Sequence, residues 1–398
     1  MSEFLPGLQQ GYRPRRGADE GQPWPFDPLL VLAVVILGGL GLIIVASASM
    51  DIADRNLGSP FHYVVRQMTF YAAGVAVGWL VVTTPLDRAQ RLSGPGLVVG
   101  FGLLLLVIVF GTEVNGSTRW LSLGPMNIQV SEFFKIALLV YLADYIARRG
   151  EEVRSSASGF FKPMLLLAVA GVLLLAQPDF GAAVVMAATV LGVLFLAGAR
   201  LWLFAAASGT AVGIVALLVL SAPYRLERVT AFLNPWADPY NSGFQLTQAL
   251  IAFGRGEWLG VGLGGSVQKL FYLPEAHTDF VFAVIGEELG LVGALTILGL
   301  YTLLILRGLV VARVAEAAGR TFAAYLAYGI ALWMGLQVFI SAGVNMGVLP
   351  TKGLTLPLIS YGGSSVVSTA LLLALLLRVD HENRFAQRHR RGRGAWRT

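Results

Sequence analysis

Ten long, nearly uncharged apolar stretches dominate this chain, at 29–49, 66–84, 96–112, 131–147, 160–177, 181–198, 200–221, 278–306, 321–342 and 356–377. About 20 apolar residues are what a helix needs to cross a bilayer, because every backbone N–H and C=O must be satisfied within the segment. The stretches are continuous Leu/Val/Ala-rich runs without the alternation of a membrane β-strand, so the expected fold is an all-α polytopic membrane protein. Composition agrees: 56% of the 398 residues are hydrophobic and 13% charged, against roughly a quarter charged in soluble proteins. The 47 glycines suit close helix packing in lipid. The first stretch is read as a span and not as a cleaved signal peptide, since a polar tail of 28 residues precedes it and no A-x-A site follows.

The basic residues orient the spans. With the N-terminus in the cytoplasm, 20 of the 29 lysines and arginines fall on the cytoplasmic side, including Arg13, Arg15, Arg16, Arg148, Arg149, Arg307 and seven C-terminal arginines. That asymmetry supports ten helices with both termini cytoplasmic. The expected organisation is a cytoplasmic tail 1–28, a membrane domain 29–378 with a large extracytoplasmic loop at 222–277, and a basic tail 379–398. The tail motif His389-Arg390-Arg391 could meet nucleic acid, but anionic headgroups are the simpler partner for a basic segment next to a span. Internal repeats are not evident, which disfavours an inverted-repeat transporter.

Four outward regions break the apolar pattern: Asn115-Gly116-Ser117-Thr118-Arg119-Trp120 leading into Ser131-Glu132-Phe133-Phe134-Lys135; Gln177-Pro178-Asp179-Phe180-Gly181; the loop 222–277 ending in Leu273-Pro274-Glu275-Ala276-His277-Thr278-Asp279-Phe280; and Gly343 through Gly353 with Ile359-Ser360-Tyr361-Gly362-Gly363-Ser364-Ser365. Each alone also reads as a breaker-rich turn. Ionisable residues near the spans are harder to dismiss, because at membrane depth each costs several kcal/mol unless paired or wet. Glu132 and Lys135 share a helix face and are expected to pair. Asp279 is expected in the first turn of a span capped by Thr278. Glu287 and Glu288 follow about 12–14 Å deeper at 1.5 Å per residue, with Lys135 as the available cation. A carboxylate among cations suits removal of a hydroxyl proton while an anionic leaving group departs.

Other chemistries have little support. No cysteine is present, which excludes thiolate metal sites, disulfides and a cysteine nucleophile. Four histidines and no cysteine argue against a dedicated transition-metal cage. Gly260-Val261-Gly262-Leu263-Gly264-Gly265 matches G-x-G-x-x-G without a strand or βαβ context, and is read as a loop.

The block Leu273 through Phe280, followed by Ile285-Gly286-Glu287-Glu288-Leu289-Gly290, resembles the SEDS (shape, elongation, division and sporulation) family. Asn115 through Trp120, Gln177 through Gly181, and the stretch from Gly343 to Ser365 are similar to its other blocks. The resemblance covers about 29–378. Pro350-Thr351-Lys352-Gly353-Leu354-Thr355 and the Gly286-Glu287-Glu288 form are nearer to the division branch than to the elongation branch.

The resemblance implies a peptidoglycan glycosyltransferase polymerising lipid II into β-1,4-linked strands at the outer face of the bacterial inner membrane, for septal wall synthesis or, alternatively, elongation-type synthesis. Asp279 is then the catalytic base, and inversion of the α-linked donor expels undecaprenyl pyrophosphate in one displacement. Arg119, Lys135 and Lys352 would neutralise the pyrophosphates, alone or with a divalent cation, Mg or Mn. Supporting or substrate-binding roles are implied for Glu275, His277, Trp120, Glu132, Asn115, Gln177, Asp179, Glu288, Asn345 and Ser360. Implied partners are a class B penicillin-binding transpeptidase of the FtsI type, divisome activator proteins and membrane lipids, with no nucleic acid. A lipid II flippase and a scaffold that only recruits partners remain rivals.

Overall fold

Asp27 starts the bundle: its Oδ1 accepts from the Leu30 amide at 3.0 Å, with Pro28 in the first helical turn, where its missing N–H costs nothing. Helix α1 (Pro28–Leu57) ends at Gly58, whose φ of 66° makes the left-handed cap that glycine adopts without strain. There follow α2 (His62–Thr83), the short α3 (Leu86–Arg91), α4 (Ser93–Phe110), strands β1 (Thr112–Val114), β2 (Ser117–Leu123) and β3 (Met126–Gln129), then α5 (Val130–Ser155), α6 (Ala157–Ala176), α7 (Phe180–Leu196) and α8 (Leu201–Leu220). After these come α9 (Pro223–Leu233), α10 (Phe244–Gly256), α11 (Val281–Ala317), α12 (Thr321–Asn345) and α13 (Gly363–Gly394). This computed structural model describes residues 25–394 apart from 115, 116, 125, 222, 271, 351 and 352.

All ten expected spans coincide with long helices among the described residues, namely α1, α2, α4 to α8 and α11 to α13. Eight are long and apolar enough to cross a membrane. The other two are α5, which carries Glu132 and Lys135 near its start and Asp144 past its middle, and α7, which has 17 residues. The chain is therefore a multi-pass membrane protein.

The core sits between α5, α11, α12 and α13. Helix α12 is buried all round, as a central helix should be, whereas α8 buries only Leu203 and lies at the periphery. Small residues let backbones approach: a Cβ added to Gly74 on α2 would come within 2.9 Å of the Ala370 methyl on α13. At the end of the bundle holding both termini, Asp27 pairs with Arg307 of α11 and Arg384 of α13.

Two departures from the sequence reading shape the other end. The segment 111–130 is a three-stranded antiparallel meander, with Trp120 opposite Gln129. The loop 222–277 contains α9 and α10, and its last third folds back against α11 at Gly290 (φ 64°, ψ −167°). There the Leu291 and Val292 amides donate to the Glu257 and Trp258 carbonyls, while Val261 and Gly262 donate to the carbonyls of Glu287 and Glu288. The glycines 260–265 thus form the loop expected of them, with Gly260, Gly262 and Gly264 in the left-handed region.

Candidate active site

All four outward regions meet in one cavity of about 400 Å³, a size typical of small-molecule sites. Its walls carry Arg119 and Trp120 from β2, Gln129 from the end of β3, Glu132 from the first turn of α5, Asp179 from the α6–α7 turn, Glu275, Thr278 and Asp279 from the α10–α11 loop, Gly353 through Thr355 and Tyr361 from the α12–α13 connection, and Ser364 and Ser365 from the start of α13.

Asp279 precedes α11, which begins at Val281, so it is not in the first helical turn. Thr278 does not cap the helix either: its hydroxyl donates to the Glu275 carboxylate at 2.6 Å. The cap is supplied from α12. Asn345 donates from Nδ2 to the Asp279 carbonyl (2.9 Å) and to the Ser341 carbonyl (2.8 Å), and its Oδ1 accepts from the Ala283 amide (3.0 Å). Among the described residues no hydrogen bond to the Asp279 carboxylate is formed, and the residue lines the cavity. Burial pushes this carboxyl up to about 7, the Glu275 charge adds to the rise, and the Arg119 charge opposes it.

Arg119 is held by the α6–α7 turn, donating to the carbonyls of Gln177 (3.4 Å) and Pro178 (2.5 Å) with Asp179 Oδ1 at 3.8 Å. Asp179 caps α7 through the Ala182 amide and accepts from Ser131 at 2.9 Å. Glu132 forms the expected pair with Lys135 (2.5 Å) and accepts from Ser368 of α13 at 2.6 Å. Lys135 itself is 1% exposed and lies over the Trp333 ring, so Glu132, and not Lys135, reaches the cavity.

His277 sits behind the site. Its carbonyl accepts from the Tyr361 amide at 2.9 Å, and its ring packs between Tyr63 and Tyr361. Desolvation holds its imidazole below the ordinary histidine value, with the Glu275 charge opposing. Among the described residues no group of three or more acidic or histidine side chains could hold a metal ion. Magnesium commonly binds through one or two carboxylates plus substrate phosphates, which does not require such a cage.

A family model described as "Cell cycle protein", covering FtsW, RodA and SpoVE, matches residues 28–385. The chain belongs to the FtsW/RodA/SpoVE family. A Nitrosococcus halophilus protein named Probable peptidoglycan glycosyltransferase FtsW is 53% identical over 96% of this chain and 99% of its own length. The Thioalkalivibrio sulfidiphilus protein of the same name is 56% identical over 89% of each. Among solved structures, a chain of a peptidoglycan synthase complex that coordinates polymerization and crosslinking superposes with a TM-score of 0.72 at 31% identity, and Thermus thermophilus RodA with 0.67 at 30%. Each covers 90% of this chain and 98% of the other.

Within this FtsW/RodA/SpoVE fold, some expected site residues stand away from the cavity. Ser360 is buried, accepting from the Leu356 amide at 2.7 Å and offering its carbonyl to Gln67. Gln177 is buried and donates to the Leu104 carbonyl. Glu288 is 2% exposed and pairs with Lys269 (2.8 Å) and Ser47, while Glu287 takes Arg255, Ser266 and two loop amides. The cation for these two carboxylates therefore comes from the loop 222–277 and not from Lys135. Asn115 and Lys352 lie outside the described residues. Conversely, Gln129, Gln245, Thr355 and Tyr361 line the cavity without having been singled out for it. Tyr361, Ser364 and Ser365 stood within the quoted blocks; Gln245, on an amphipathic helix inside a presumed loop, gave no motif.

Proposed function

We propose that this chain is an inverting peptidoglycan glycosyltransferase that polymerises lipid II, with Asp279 as general base. The observation that carries this is the Asp279 carboxylate itself: facing the cavity, without a hydrogen bond among the described residues, and raised by burial to about 7, where a base is both substantially ionised and able to accept a proton. Asp279 takes the proton of the acceptor sugar 4-hydroxyl, whose oxygen forms the new bond to the donor anomeric carbon. The donor's bond to undecaprenyl pyrophosphate breaks on the opposite face, giving the β-1,4 linkage from an α-linked donor.

Arg119 is the pyrophosphate-facing cation, and its anchoring to the 177–179 turn fixes its position before substrate arrives. Lys135 acts through Glu132, orienting it from below. Lys352, adjacent in sequence to Gly353, is retained as a second phosphate-binding cation. Magnesium or manganese would fit against the phosphates with Glu132 or Asp179, adding charge neutralisation there.

The positive-inside asymmetry supports a cytoplasmic location for both termini and an extracytoplasmic cavity. Membership of the family and the FtsW-type relatives support the inner membrane as the location, and the septum within it is part of the proposal. The complex described for one structural relative supports a class B penicillin-binding transpeptidase as partner; divisome activators are proposed from the resemblance to the division branch alone. Labelled lipid II incubated with the purified chain and its transpeptidase partner is expected to yield glycan strands, and Asp279→Asn to yield none. Strand synthesis by that variant at the wild-type rate would refute the assignment; lipid II translocation without polymerisation would favour a flippase.

A further inference from the structure

Beside the proposed base runs a stretch of bare backbone. A Cβ built on Gly353 would lie 2.7 Å from Asp279 Oδ2, 3.5 Å from its Cγ and 4.0 Å from Oδ1, and among the described residues these are the three nearest atoms it would meet. Gly353 is otherwise exposed and its φ is not in the left-handed region. A glycine here therefore answers a spatial demand, made by one carboxylate.

The backbone on either side of this contact cannot retreat easily. The segment after Gly353 is pinned by three elements: Leu354 seats against Gly181 of α7, where an added Cβ would come within 3.3 Å of its Cδ2; the Thr355 hydroxyl bonds Ser365 of α13 at 2.8 Å; and the Thr355 carbonyl accepts from Gln337 of α12 at 3.0 Å. Opposite, the Asp279 main chain is tied to Asn345. Only the Asp279 side-chain torsions remain free to relieve a collision.

We propose that Gly353 is a positioning residue for the catalytic carboxylate, its bare Cα forming the wall against which Asp279 rests in its cavity-facing orientation. A side chain at 353 turns the carboxylate out of line with the acceptor hydroxyl while leaving the substrate-binding walls in place. The inference rests on the reading of Asp279 as the base only for its kinetic consequence, not for the contact.

Two measurements test it on the full-length protein with its transpeptidase partner. Gly353→Ala is expected to lower kcat for lipid II polymerisation about 100-fold with KM within about twofold, because an ångström of misplacement costs rate and not binding. Unchanged kcat, or a loss carried by KM, overturns the proposal. The second is a thermal-unfolding cycle: Gly353→Ala shifts Tm lower in the wild-type background than in Asp279→Ala, where the colliding carboxyl is gone and only the ordinary gain of alanine over glycine remains. An equal Tm change in both backgrounds, of either sign, overturns the contact itself. Wild-type polymerisation by Asp279→Asn would instead remove the base assignment, and the unfolding cycle would still decide whether Gly353 and Asp279 touch.

Discussion

Asn345 holds Asp279 by its main chain: Nδ2 donates to the Asp279 carbonyl at 2.9 Å while Oδ1 of the same amide accepts from the Ala283 amide at 3.0 Å. One buried side chain at the end of α12 thus stitches together the proposed base and the first turn of α11. Asn345→Ala takes the donor from the Asp279 carbonyl and one of the two acceptors, beside the Phe280 carbonyl, from the Ala283 N–H, a loss of about 1–3 kcal/mol. Thermal unfolding of the purified protein should show that destabilisation, and lipid II polymerisation should fall with kcat more than with KM.

The raised carboxyl of Asp279 predicts a pH-rate profile. A base must be ionised to act, so the polymerisation rate should rise with pH through an apparent value of about 7. Glu275→Gln removes a charge that raises this value and should move the limb to lower pH; Arg119→Gln removes a charge that lowers it and should move the limb to higher pH, beside its own loss of rate. A limb insensitive to both substitutions would contradict this electrostatic origin.

The same group carries a stability signature. Its folded value lies above the ordinary carboxylate value of 3.8, so between about 4 and 7 the folded state binds more protons than the unfolded one, and its contribution to stability falls as pH rises. Asp279→Asn escapes that fall. The variant's Tm advantage over wild type should therefore grow from pH 4 to pH 7 and level off above, measured in one detergent throughout.

Glu288 and Lys269 are 2% and 4% exposed by side chain and 2.8 Å apart, with the Ser47 hydroxyl bonded to both. Removing one charge strands the other, so Lys269→Met and Glu288→Gln should each destabilise, the lysine change by about 3–5 kcal/mol. The double variant Lys269→Met/Glu288→Leu should recover most of the loss. A double variant as unstable as the sum of its parts would show the pair is not coupled.

Gly290 has φ 64°, and a Cβ there would come within 2.4 Å of the Gly260 amide nitrogen. Gly290→Ala should therefore detach the 256–265 loop from α11. Increased protease cleavage within that loop, together with a lower Tm, would report it; an unchanged cleavage pattern would argue that the break in α11 is not needed.

How far the linear chain reveals this protein depends on how local the governing physics is. Ten apolar stretches appear as ten long helices because a bilayer forces each segment to satisfy its own backbone. The blocks around Asp279, Arg119 and Tyr361 are recognisable as strings, so their convergence could be anticipated from topology. The pairing of Glu288 could not: its cation sits 19 residues back in a segment that looked like an outer loop, and only the break at Gly290 brings Lys269 alongside. Likewise Thr278 had the chemistry of an N-cap, but Glu275 captured its hydroxyl first.

Hydrophobic length, charge asymmetry and short motifs thus set the class of fold, the helices and the identity of the acidic residue, since each is written within one turn or one span. Which side chains face the cavity was settled by contacts across the bundle: Asn345 on Asp279, Gly353 against its carboxylate, Lys135 withdrawn beneath Glu132. Those depend on where backbones cross, and no local pattern of residues encodes a crossing.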